Sequence, residues 1–320
     1  MPTLLIGRSE VQRLLTAADV LPRLQDGFVA YSRGDISRGK RVRSDLPGPG
    51  TATVLFPGIV PGFPLYTVKV HAKFPAQRPA IRGVLCLHSS ETGELLAVMD
   101  STFLTGIRTG LSGALAAHVL ARADASSVAV IGCGEQGRHQ LTALAALRSI
   151  NTVYAYDVLD EVARRYCDEM GQSLQLSIEP AGSPELALEG ADIALVATWA
   201  RTPIITNAMV RPGMHVTTLG ADEPSKAEVS REMIESSTFF CDDRVLACEM
   251  GALGGVGLPM SAVAAELGEV LAGDHPGRTS PEEVTIYGGV GLAFQDAVCA
   301  SIVYAAALQS GFGEEFEFLA

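Results

Sequence analysis

The chain has 320 residues, 48% of them apolar, and a formal net charge of −12. That length can hold two cores. No apolar run is long enough to span a bilayer, and lysines and arginines scattered singly through an acidic chain argue against nucleic acid as the ligand. The opening MPTLLIGRSEVQ lacks the basic-then-apolar profile of a secretory signal, so a cytoplasmic protein with no membrane partner is expected. The six cysteines form no C-x-x-C pair and the histidines no H-E-x-x-H, so reduced thiols and no metal site are expected.

Ser9 with Gln12 predicts a capping box that opens a helix, and residues 20–31 carry apolar positions at helical spacing until Gly34. From residue 43 to 99 the pattern changes. TATVLFPGI, LYTVKVHAKF, RGVLCLHSS and GELLAVMD read as strands separated by Pro-Gly, Arg-Pro and Glu-Thr-Gly turns, which predicts a mostly antiparallel sheet. Residues 101–121 form a helix rich in small residues. SVAVIG, TVYAYD, ADIALVAT, HVTTLG and STFFCD then alternate with helical patterns, the order of a doubly wound parallel sheet. A last helix at 292–309 follows that sheet and is expected to return to the first domain. The fold class is α/β: a Rossmann domain at 119–292, and a discontinuous, mostly antiparallel α+β domain made of 1–118 and 293–320.

VAVIGCGEQG gives the Rossmann domain its ligand. Gly132, Gly134 and Gly137 have the G-x-G-x-x-G spacing: the first for a tight turn, the second for approach of a pyrophosphate, the third for helix–strand packing. Glu135 and Gln136 open the helix that aims its free amides at the phosphates. Glycine spacing alone is a weak signal, but here a strand precedes it and a helix follows. Asp157 closes the next strand, where a carboxylate meets ribose hydroxyls and repels a 2′-phosphate, which favours NAD over NADP.

Three further residues could carry chemistry. Lys69 lies in an apolar strand and either snorkels at an edge or binds an anion. Arg108 sits among small residues in LTGIRTGLSG, where burial of a long cation calls for an anionic partner. Asp222 follows HVTTLG, at the strand end where open α/β sheets bind ligands. Pro224 nearby makes a turn carboxylate the competing reading.

AVMDSTFLTGIRTGLSGALAA, VIGCGEQG, GADEPSK and GVGLAFQDA, in that order, resemble the ornithine cyclodeaminase and mu-crystallin family. The resemblance implies a dimer-forming sheet domain, hence a homodimer, and a small amino or imino acid substrate. It implies that Arg43, with Arg41 as the alternative, and Lys69 and Arg108 clamp the substrate carboxylate. Asp222, assisted by Lys69, is implied to be catalytic at the α-nitrogen, with Thr109, Thr198 and Lys226 beside the cofactor.

The sequence also departs from the ornithine-cyclising pattern. No Asp or Glu lies between Asp45 and Glu91; Phe56, Phe63, Tyr66 and Phe74 do. Ala80 stands where cyclising members carry a hydroxyl, and Gly-Gly-Val-Gly at 288–291 replaces Lys-Ser-Val-Gly. A buried unpaired ammonium costs about 3–5 kcal/mol, so an uncharged substrate side chain is preferred. Three readings follow: an NAD(H)-dependent amino-acid dehydrogenase or ketimine and cyclic-imine reductase; an ornithine or lysine cyclodeaminase; and a nucleotide-dependent binding protein of mu-crystallin type, which would have no physical need for Lys69, Arg108 and Asp222 together. The glycine-rich loop at 251–259 reads either as a mobile cover or as a plain connection.

Overall fold

The computed structural model describes residues 2–36, 38–59, 62–77, 79–224 and 226–318. The chain divides into two units, Met1–Arg108 with Leu292–Ala320, and Thr109–Gly291. The divide falls inside the helix Ser101–Leu120, earlier than the 118/119 boundary expected from sequence. The reason is local. Arg108 turns its charge toward the first unit's residues, whereas Gly110 and Gly113 lie against His139, Leu219 and Gln140 of the second.

In the first unit the strands are β1 (Thr3–Ile6), β2 (Val42–Asp45), β3 (Ala52–Ile59), β4 (Leu65–Lys73), β5 (Ile81–Ser89) and β6 (Leu95–Asp100); β15 (Glu314–Phe316) completes the set. They form one sheet in the order β15-β1-β6-β5-β4-β3-β2, antiparallel except where β1 runs beside β6. The helix Ala293–Ser310 packs on β3, β4 and β5 and on the helix Ala17–Ser32. Phe294 anchors it, edge-on to Phe28 at 5.2 Å, and Gly27 is the residue that leaves its ring room. The first helix is Arg8–Leu14, capped at Gly7, whose amide donates to Glu10 at 2.8 Å; the expected Ser9–Gln12 box is displaced by this earlier one.

The second unit contains β7 (Ser127–Ile131), β8 (Thr152–Tyr156), β9 (Ser177–Pro180), β10 (Ile193–Val196), β11 (His215–Thr218), β12 (Thr238–Cys241), β13 (Val263–Glu266) and β14 (Thr285–Gly288). Their order is β13-β12-β14-β11-β10-β7-β8-β9, and the pairs are parallel. Strand order reverses at β7, which puts the crevice for a ligand at the carboxyl ends of β7 and β10. β14, the TIYG run that sequence reading passed over, sits between β11 and β12. Its four residues are all buried, so a short apolar run, not alternation, marks it.

Candidate active site

β7 delivers the chain to Gly132, whose φ of 100° lies in the left-handed region that favours glycine. A side chain at Gly132 would strike the Ala197 carbonyl, and one at Gly137 would strike the Gly132 carbonyl. Gly134 is different. It is exposed, a Cβ there would meet open space, and it caps the helix Glu135–Leu147, whose first amides face outward from the turn. Close packing at two glycines and open approach at the third fit a dinucleotide pyrophosphate. Asp157 is half-buried and accepts hydrogen bonds from Cys133 N at 3.0 Å and Leu159 N at 3.1 Å, which hold its carboxylate beside the turn with lone pairs to spare. Glu135 is exposed, its carboxylate 3.8 Å from His139, and the Oε1 of Gln136 has no hydrogen-bond partner among the described residues.

The ends of β10 and β11 are tied together by Glu228, which sequence reading assigned no role. Its carboxylate accepts from Thr198 N at 2.5 Å, Thr198 Oγ1 at 2.8 Å, Thr218 Oγ1 at 2.6 Å and Gly220 N at 2.8 Å. Burial pushes this acid upward, and those four donors oppose the shift. Thr198 is therefore occupied as a loop anchor. Beyond these anchors Asp222 lies with its side chain 24% exposed, paired at 2.9 Å to the ammonium of buried Lys226. Lys226 also lies 4.1 Å from the ring of Trp199. Thr109 is half-buried at the start of this unit.

Residues 251–259 are partly helical and closely packed. Ala252–Gly255 is a helical turn, and side chains at Gly254 or Gly255 would strike the carbonyls of Cys248 and Lys226. Gly251, Gly254 and Gly255 permit this close packing.

The first unit buries the cationic residues. Lys69 and Arg108 converge on Asp296: Lys69 Nζ is 2.5 Å from Oδ2 and Arg108 Nε 3.0 Å from Oδ1, while Arg108 NH1 donates to Gln295 at 2.8 Å. Of the two sequence readings for Lys69, the structure takes the anion-bound one, with the anion supplied by the chain. Asp296 was missed although it is the only charged residue in the helix AFQDAVCASIVYAAALQS, a signal that was there to read. Burial works against its charge, but Arg108 and Lys69 outweigh it and hold the carboxyl below its ordinary range. Burial pushes the Lys69 ammonium down to about 7, with Asp296 opposing and Arg108 adding to the push.

The face of β4 that carries Lys69 also carries Thr67, His71 and Lys73, all buried. The apolar wall expected from Phe56, Phe63, Tyr66 and Phe74 is thus corrected. Only Phe56 stands in this row, directly across from Lys69, with the Arg41 guanidinium 5.9 Å and the Lys69 ammonium 6.0 Å from its ring. Phe63 is exposed under Arg23, Tyr66 stacks on His88, and Phe74 follows the strand half-buried. Arg43 pairs with Asp45 at 2.6 Å and lies in the row Arg43–Val54–His71. Burial and then the Lys69 charge push His71 down to about 3, so its imidazole is neutral at pH 7.

Among the described residues no group of three His, Cys, Asp or Glu side chains could hold a metal, and no helix is long and apolar enough to cross a membrane. Over 99% of both chains this sequence is 32% identical to an alanine dehydrogenase of Archaeoglobus fulgidus. It superposes on an archaeal alanine dehydrogenase dimer with bound NAD with a TM-score of 0.94, at 31% identity and 100% coverage of both chains. It matches the Thermococcus litoralis Δ1-pyrroline-2-carboxylate reductase, solved with NADH and L-proline, with a TM-score of 0.93, 28% identity, and 98% of this chain and 99% of that one covered. The model of the ornithine cyclodeaminase/mu-crystallin family matches residues 2–311, and the chain belongs to that family.

Proposed function

We propose that the protein is an NAD(H)-dependent oxidoreductase that transfers hydride at the α-carbon of an L-amino acid or its imine, with an uncharged substrate side chain. The observation that carries this reading is the Lys69–Asp296–Arg108 cluster, in which two buried cations face one carboxylate. An α-carboxylate entering beside them meets a surplus of positive charge, and its arrival raises the proton affinity of Lys69. Arg43 and Arg41 extend the same positive field. Asp222 holds the α-nitrogen as iminium or ammonium by charge and accepts its proton in the oxidative direction. NAD, held by the 132–137 turn and Asp157, supplies the hydride acceptor or donor. The chain's own task is to orient the substrate and balance its charge.

The charges on the β4 face favour a reductase over a cyclodeaminase. A distal ammonium beside Lys69, Lys73 and Arg41 is repelled, and neutral His71 offers it no countercharge. The assay is NADH oxidation against pyruvate with ammonia or methylamine and against Δ1-pyrroline-2-carboxylate, with ornithine and NAD⁺ followed separately for proline. NADH consumed with imines and no proline from ornithine is the expected result. Proline without net NADH would establish a cyclodeaminase.

The homodimer has a supporting surface. Val42, Leu55, Val70 and Val84 are direct cross-strand partners on β2 to β5, on the face opposite Lys69, and each is at least 39% exposed. Such an apolar row is a pairing surface for a second copy. Val70→Asp is expected to convert the dimer to monomer in light scattering; an unchanged mass would place the interface elsewhere.

A further inference from the structure

We infer that Lys226 is a positioning residue for Asp222: its ammonium, fixed between Asp222, Glu223 and the ring of Trp199, keeps the Asp222 carboxylate aimed at the substrate nitrogen. This rests on the reading of Asp222 given above and assigns to Lys226 a role other than cofactor contact.

The geometry is specific. Lys226 Nζ stands 2.9 Å from Asp222 Oδ1, 3.8 Å from Glu223 Oε1 and 4.1 Å from the Trp199 ring centroid. Its side chain is 4% exposed, so this ammonium has exchanged water for two carboxylates and an aromatic face. Arg201 lies 3.7 Å from Glu223, which draws that second carboxylate toward another cation and leaves Asp222 the nearer partner of Lys226. Asp222 itself lies in irregular chain beyond β11 with part of its side chain in solvent, where a carboxylate has several rotamers open to it. The ammonium on Oδ1 favours one of them.

The backbone is braced to match. Glu228 anchors the loop that bears Trp199 and the loop that bears Asp222, and Ala227 N donates to Ala200 O at 3.3 Å, joining the two beside Lys226. Gly255 packs on the Lys226 carbonyl so closely that any side chain would displace it. Gly255 thereby gains a purpose: it seats the backbone from which Lys226 reaches Asp222.

Trp199 is the sole tryptophan of the chain, so its fluorescence reports on this ammonium without any turnover. In cofactor-free protein, Asp222→Asn is expected to change Trp199 emission in the wild-type background and to leave it unchanged in Lys226→Met, because the signal passes through the ammonium. With NADH and an imino acid that the wild type reduces, Lys226→Met is expected to lower kcat at least 30-fold. NADH affinity, read by energy transfer from Trp199, should shift less than threefold, and Lys226→Arg should recover most of kcat. A tenfold loss of NADH affinity with kcat retained would make Lys226 a cofactor contact and overturn the inference. Equal emission changes for Asp222→Asn in both backgrounds would overturn it too. If the wild type reduces no imine, the reading of the reaction fails, and the fluorescence cycle still decides whether Lys226 governs Asp222.

Discussion

The two units bury charge in different ways. In the nucleotide-binding unit, Glu228 is met by two hydroxyls and two backbone amides, Asp242 by the amides of Val290 and Gly291, and Asp192 by the amides of Ser126 and Ser127 and by Arg122 and Arg211. These carboxylates knit strand ends and loops together, and their donors are mostly parts of the backbone that cannot move away. In the other unit Asp296 is met by two side-chain cations, Lys69 and Arg108. Charge balanced by backbone is scaffold. Charge balanced by flexible cations can be rebalanced by an incoming anion, and that is what a carboxylate substrate requires.

The largest effect should come from the cation cluster. Asp296→Ala leaves Lys69 and Arg108 buried without their shared carboxylate, and urea unfolding should register a loss of about 4 kcal/mol. A loss under about 1 kcal/mol would mean that Asp296 does not balance them. On the scaffold side, Glu228→Ala strands the Thr198 and Gly220 amides and should cost about 3 kcal/mol in the same measurement. If the two variants also differ in response to added anions, with acetate restoring stability to Asp296→Ala alone, the contrast between the units is sharpened; equal rescue would erase it.

Acid should probe both units through buried histidines. Burial, then the Lys69 charge, holds His71 at about 3, and burial, then Arg278, holds His215 at about 3, against an ordinary 6.5. The unfolded chain therefore binds more protons between those limits. Stability is fully present above pH 6.5 and declines as pH falls toward 3, by about 1.4 kcal/mol per pH unit for each histidine. His71→Phe and His215→Phe should each flatten the unfolding profile in that window, and a profile unchanged by either would place that histidine in solvent. His215 bonds Thr285 and Thr217 at 2.9 Å, so its replacement should also lower stability at neutral pH more than that of His71. The smallest effect is on cofactor choice: Asp157→Ser should narrow the preference for NADH over NADPH by about tenfold, and a wild type that already prefers NADPH would refute the ribose assignment.

Local pattern was enough for much of this molecule. The strand–glycine–helix turn at 132–137, the carboxylate one strand later and the alternation of strands and helices are short-range features, because each depends on spacings within one turn or one βαβ unit. Asp222 was legible for the same reason, as an acid just beyond a parallel strand. Other assignments needed the folded chain. Lys69 and Asp296 are 227 residues apart in sequence and Arg108 and Asp296 are 188 apart, so no periodicity joins them. Which side of β4 is inward changed an expected apolar wall into a row of Thr67, Lys69, His71 and Lys73, since alternation assigns residues to two faces without saying which face is covered. The insertion of β14 between β11 and β12, and the reach of Glu228 to two strand ends, were likewise set by tertiary packing. The sequence by itself determined the elements and the dinucleotide turn, because those follow from local backbone preference and hydrophobic period. Only the tertiary structure decided which buried charges meet, because a charge removed from water takes its partner from whatever element the fold lays beside it.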